Sequence, residues 1–131
     1  MKIICDTNIL LFWSQAPERL TANAVAALNE GLERKLLACS DVSFWEIAML
    51  FARKRLVKPV APDVFMRDIV LAMELNVLSI TPEIAVISQS NVFNHKDPAD
   101  RLIAATAIHE GSPLITADSQ LRSTEGLQVV W

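Results

Sequence analysis

No uninterrupted apolar run in this sequence is long enough to cross a membrane. The run at the N-terminus, Ile3-Ile4-Cys5, stops at Asp6 and is far too short for the core of a secretory signal. The most apolar stretch elsewhere, Val42 to Ala52, carries Glu46 in its middle. A cytoplasmic protein without membrane contact is therefore expected. Cysteine is scarce: Cys5 and Cys39 each fall in a short apolar run that reads as a strand, so free buried thiols are expected rather than a disulfide. With His95 and His109 as the only histidines and no close Cys or His spacing, a structural zinc site has no ligand set. Only 3 glycines and 6 prolines occur, with no low-complexity segment, repeat or linker, which predicts one compact domain over 1–131. Excess positive charge is also lacking. A net charge of −3 argues against a protein that holds nucleic acid by bulk positive potential.

What is present is an ordinary globular composition, 52% hydrophobic and 21% charged, patterned as alternating strands and helices. Ile3-Ile4-Cys5 reads as a strand that runs through Asp6-Thr7-Asn8 into a helix start. Thr21 opens a helix with Val25, Leu28 and Leu32 at helical spacing, and Leu36 to Cys39 is a second strand. Ser43 begins a helix that ends near Arg53-Lys54-Arg55, and Pro62 opens another with Phe65, Ile69 and Met73 on one face. Val77 to Ile80 is a third strand, followed by a helix from Pro82. Asp97-Pro98 opens an alanine-rich helix closed by Gly111, whose alanines suit close packing on the sheet. Leu114 to Thr116 and Leu127 to Val130 are the last strands. Continuously apolar strands separated by helices predict an α/β fold, a three-layer α/β/α domain around a parallel sheet of about five strands.

In such a fold the site lies beyond the carboxyl ends of the strands. Asp6 directly follows the first strand and Asp118 closely follows the fourth; Glu46 and Asp100 lie in the first turns of their helices. All four point to one edge of the sheet. Helix capping predicts the same placement: Ser43-x-x-Glu46 and Asp97-x-x-Asp100 have the form of capping boxes, and Asp6 and Asp118 suit N-caps. Position alone leaves both readings open. Without these four acids the rest of the chain lies within one charge of neutrality.

The segments around the acids are more specific. Asp6-Thr7-Asn8-Ile9-Leu10-Leu11, Ser43-Phe44-Trp45-Glu46-Ile47-Ala48, Asp97-Pro98-Ala99-Asp100-Arg101-Leu102-Ile103-Ala104-Ala105-Thr106-Ala107 and Leu114-Ile115-Thr116-Ala117-Asp118 occur in this order. The series resembles the PIN-domain family, in particular its VapC-type toxin ribonucleases, over nearly the whole chain. The resemblance implies a PIN-like α/β/α fold and an endoribonuclease dependent on Mg²⁺ or Mn²⁺, cleaving RNA phosphodiester bonds by metal-activated water and leaving 5′-phosphate and 3′-hydroxyl ends. It implies Asp6, Glu46, Asp100 and Asp118 as the catalytic, metal-holding acids, with Asp6 and Asp100 as direct ligands and Asp100 rather than Asp97 as the third. Thr7, Asn8, Thr116 and Ser119 are auxiliary candidates beside them. The expected partners are an RNA substrate, a cognate antitoxin as in type II toxin–antitoxin pairs, and a second copy of the chain.

Other features carry less. Lys96 and Arg101 flank the third segment and are placed for phosphate contact, whereas the cluster of Arg53, Lys54, Arg55 and Lys58 suits a helix C-terminus. His95 reads as a solvated loop residue, and Phe12, Trp13 and Trp45 as core or dimer-interface residues. A receiver domain would require an acidic pair after the first strand and a late lysine. A haloacid-dehalogenase-like phosphatase would require Asp where Asn8 stands. The remaining rival is a non-catalytic PIN module that binds protein or RNA.

Overall fold

The computed structural model describes residues 1–131. Its elements in chain order are β1 (Ile3–Cys5), α1 (Thr7–Gln15), α2 (Ala22–Glu33), β2 (Leu37–Ser40), α3 (Val42–Ala52), α4 (Pro62–Met73), β3 (Asn76–Leu78), α5 (Pro82–Ser88), α6 (Pro98–Glu110), β4 (Leu114–Ile115) and β5 (Val129–Val130). Short 3₁₀ turns occupy Pro17–Arg19 and Ser119–Leu121. The sheet order is β3-β2-β1-β4-β5 and every neighbouring pair is parallel, as the apolar strands predict. From β1 the chain builds outward through β2 to β3, then returns to the other side of β1 with β4 and β5. Strand order therefore reverses between β1 and β4, where a crevice opens at their carboxyl ends.

Side chains alternate across the sheet with the period of two that extended backbone imposes. Ile3, Cys5, Leu37, Cys39 and Ile115 face a core built with Ile9, Leu10, Leu28, Ile47, Phe65, Ile69 and Met73 from α1 to α4. Ile4, Ala38 and Leu114 face the opposite way, onto Ile84 of α5 and Ile103, Ala104 and Ala107 of α6. Both cysteines are free and buried, and burial raises their pKa values, so the thiols stay protonated. No helix is long and apolar enough to cross a membrane.

The expected boundaries shift in places, for identifiable reasons. The buried stripe of α2 is Ala24, Leu28 and Gly31, whereas Val25 is 39% exposed. The helix lies so close to β2 that a Cβ on Gly31 would sit 2.3 Å from Leu37 Cδ2, and small residues permit that approach. β3 begins at Asn76 instead of Val77, because its side-chain amide donates to the Leu37 carbonyl at 2.9 Å and extends the edge pairing. β3 ends at Leu78, leaving Ile80 exposed. β4 and β5 are shorter than predicted, although Thr116 N still bonds the Val130 carbonyl at 3.2 Å. Phe12 and Trp13 pack against the core, but Trp45 is 57% exposed and forms no part of it.

Gly111 ends α6 as expected, in the left-handed region at φ 61°. Open space surrounds its Cα, so a methyl group there meets no atom, and only backbone strain opposes it. Gly111→Ala is expected to lower stability by about 1 kcal/mol in urea denaturation, the cost of holding an L-residue in that region.

Candidate active site

Asp6 leaves β1 at the crevice and serves as N-cap of α1, its Oδ1 accepting from Thr7 N at 2.8 Å. Its Oδ2 accepts from Thr116 Oγ1 at 2.7 Å, across the β1–β4 switch. Thr116 Oγ1 also accepts from Asp118 N at 3.0 Å, so one buried hydroxyl ties the first acid to the backbone of the fourth. Asp118 in turn caps the following 3₁₀ turn, Oδ1 accepting from Gln120 N at 2.9 Å. Both acids therefore cap and also face the crevice.

The capping-box reading of Ser43 and Glu46 is not what the fold contains. α3 starts one residue earlier, at Val42, and its N-cap Asp41 makes no side-chain cap bond. Ser43 is fully buried inside the helix, with its hydroxyl 2.9 Å from Thr7 Oγ1. Thr7 Oγ1 donates to Glu46 Oε1 in a short bond, which leaves the Ser43 hydroxyl to donate to Thr7. The box at α6 divides differently: Asp97 is the cap, accepting from Ala99 N at 2.9 Å and Asp100 N at 3.3 Å. Asp100 is thereby free to face the crevice.

His95 is a correction. It is not a solvated loop residue: its side chain is 11% exposed, with Nε2 at 2.6 Å from Asp118 Oδ2 and 3.1 Å from Asp100 Oδ2. Its proximity in sequence to Asp97 and Asp100, on a loop leading into a helix start at the crevice, was the available signal. Ser43 was legible only as a cap, since nothing in the sequence sets it opposite Thr7.

The acids group in two overlapping sets. Asp6, Glu46 and Asp100 offer oxygens that all lie within 4.8 Å of one another, and so do His95, Asp100 and Asp118. Crowding has an electrostatic consequence. Burial raises the pKa of Asp6, opposed by the Thr116 and Thr7 hydrogen bonds. Burial likewise raises Glu46, opposed by Thr7 and reinforced by Asp6 and Asp97. Asp100 is pushed up to about 7, first by burial and then by the charges of Asp6, Asp97 and Glu46, with His95 opposing. Three carboxylates held this close favour an added positive charge. Hard oxygen donors of this kind match Mg²⁺ or Mn²⁺, and Glu46 and Asp100 each keep one oxygen without a protein partner.

The remaining candidates are distributed unevenly. Thr7 and Thr116 are buried within the network, whereas the side chains of Asn8 and Ser119 are exposed and make no side-chain hydrogen bond. Lys96 is exposed beside His95. Arg101 is turned away, its Nε donating to the Ser88 carbonyl at 2.8 Å and its guanidinium 5.8 Å from the Phe93 ring.

The family model described as PIN domain matches residues 3–127. Ribonuclease VapC22 of Mycobacterium tuberculosis (strain ATCC 25618 / H37Rv) is 33% identical over 122 residues, covering 92% of this chain and 90% of that protein. Among solved structures, VapBC2 from Rickettsia felis, bound to a DNA fragment from their promoter, superposes with a TM-score of 0.71 at 18% identity, covering 98% of this chain and 97% of that one. A toxin–antitoxin complex from Klebsiella pneumoniae gives 0.66 at 24% identity, covering 99% and 97%.

Proposed function

This chain belongs to the PIN domain family, and on that premise we propose that it is an endoribonuclease dependent on Mg²⁺ or Mn²⁺. The observation that carries the reading is the convergence of Asp6, Glu46 and Asp100, from three separate segments, on one space at the strand-order switch. A divalent cation bound there supplies positive charge to phosphoryl oxygens and lowers the pKa of water.

The chain's own residues prepare that space. Asp6 is held by two donors, so its carboxylate cannot turn. Thr7 fixes one oxygen of Glu46 and leaves the other directed outward; Ser43 fixes Thr7. Asp100 projects from the first turn of α6, a helix anchored by its buried alanines and therefore rigid. Asp6 and Asp100 are the proposed direct ligands, with Glu46 and Asp118 acting through water. Thr7 and Thr116 position the acids, and Lys96 is an exposed cation for substrate phosphate. Cleavage would leave 5′-phosphate and 3′-hydroxyl ends.

The proposed biological role is that of a toxin with a cognate antitoxin. It is supported by the ribonuclease VapC22 relative and by the toxin–antitoxin complexes that share the fold. Large apolar side chains left exposed, among them Leu71, Val77 and Val86, support the expectation of protein partners, whether antitoxin or a second copy of the chain. Purified protein is expected to cleave single-stranded RNA with Mg²⁺ or Mn²⁺ and to lose that activity in chelator. Cleavage that continues at full rate in excess chelator would remove the cation from the mechanism.

A further inference from the structure

His95 has no part in the reaction proposed above, yet it is wedged into the acid cluster. We infer that His95 is a positioning residue whose Nε2–H fills the space between Asp100 and Asp118, so that the cluster is built for one divalent cation, at Asp6, Glu46 and Asp100, and not for two. The inference rests on the cation-dependent reading of this cluster and adds its stoichiometry.

The orientation of the ring is fixed from behind. Asp97 N donates to His95 Nδ1 at 3.1 Å. A ring nitrogen that accepts a hydrogen bond carries no proton, so the proton of the neutral imidazole lies on Nε2. That nitrogen is directed at Asp118 Oδ2, 2.6 Å away, and at Asp100 Oδ2, 3.1 Å away. Carrying its proton, Nε2 has no lone pair for a metal ion. It instead supplies hydrogen-bond donation where two carboxylates approach each other. Asp118 is consequently engaged at both oxygens, by His95 at Oδ2 and by Gln120 N at Oδ1. Asp100 differs, since only its Oδ2 meets the ring. A ligating His95 would need its proton on Nδ1, opposite the Asp97 N–H, leaving two donors facing each other. Asp97 thus caps α6 with its side chain and sets the histidine tautomer with its backbone.

Titration calorimetry with Mn²⁺ alone tests the stoichiometry. The native chain is expected to bind one ion, and His95→Gln also one, because an amide N–H replaces the ring donor. His95→Ala is expected to bind two, since the donor between Asp100 and Asp118 is gone. Two ions on the native chain, or one on His95→Ala, would overturn the role of His95 and leave the cation-dependent reading intact. No ion on the native chain would overturn both. A second measurement needs no variant: long-range ¹H–¹⁵N correlation on the Mg²⁺-saturated native protein should show His95 protonated at Nε2 and bare at Nδ1. A proton on Nδ1 would overturn the inference even if the stoichiometry were one.

Discussion

Asp100→Asn is expected to lower RNA cleavage by about 10³-fold or more, on the order of 4 kcal/mol of transition-state stabilisation, whereas Asp97→Asn stays within a few-fold of the native rate. The two acids lie within one turn of each other, and their environments separate them. Asp97 Oδ1 satisfies two backbone N–H groups at the start of α6, work that an asparagine carbonyl oxygen does about as well. Asp100 makes no cap bond with its side chain; its oxygens lie with those of Asp6 and Glu46. The Asp97 charge also helps to raise the pKa of Asp100 and Glu46, so removing it leaves both more readily ionised. Single-turnover cleavage of a labelled RNA at saturating Mn²⁺ measures both variants. Equal losses would mean that the choice between these neighbours is wrong.

In chelator the protein is expected to lose stability as pH rises from about 4 to about 7, and Asp100→Asn should flatten that decline. Folded Asp100 keeps its proton up to about 7, while the unfolded chain releases it near the ordinary value of 3.8. Between those limits the folded state binds more protons, and stability falls with rising pH. Below the window both states are protonated; above it both are ionised and the repulsion is fully expressed. Asp6 and Glu46, also raised, act in the same direction. Allowing for solvent screening, Asp100→Asn should be the more stable protein in chelator at pH 8 by on the order of 1–2 kcal/mol. Mg²⁺ reverses the order, because an ion that binds only the intact folded site stabilises it by about 2.7 kcal/mol at a hundredfold excess over Kd. Thermal melts at pH 5 and pH 8, with chelator and with Mg²⁺, test both halves. Asp118→Ala serves as the contrast: it removes the cap on Gln120 N and should cost about 1 kcal/mol under every condition. If Asp100→Asn melted below native by the same margin throughout, repulsion in the acid cluster would not be the cause.

By itself, the sequence determined the layout. Short apolar strands between amphipathic helices suffice for a parallel sheet covered on both faces, and a parallel sheet brings every strand's carboxyl end to one edge. Asp6, Glu46, Asp100 and Asp118 were legible as a group for that reason, and the choice of Asp100 over Asp97 came from family resemblance. Glycine after α6 and proline at the starts of α4 to α6 marked boundaries correctly because those signals are local. Only the tertiary structure decided matters that depend on residues distant in sequence. Ser43 looked like a cap because capping is a relation within four residues; its actual partner, Thr7, lies across the fold. Val25 looked buried because periodicity gives a stripe's direction but not its centre, and the close approach of Gly31 to Leu37 rotates the stripe onto Ala24. Arg101 looked available to phosphate until Ser88 and Phe93 engaged it. His95 looked solvated because a loop residue's burial depends on what folds over it. Asp118 arrives from beyond β4 and Asp100 from the start of α6, and the ring is enclosed only when both are in place.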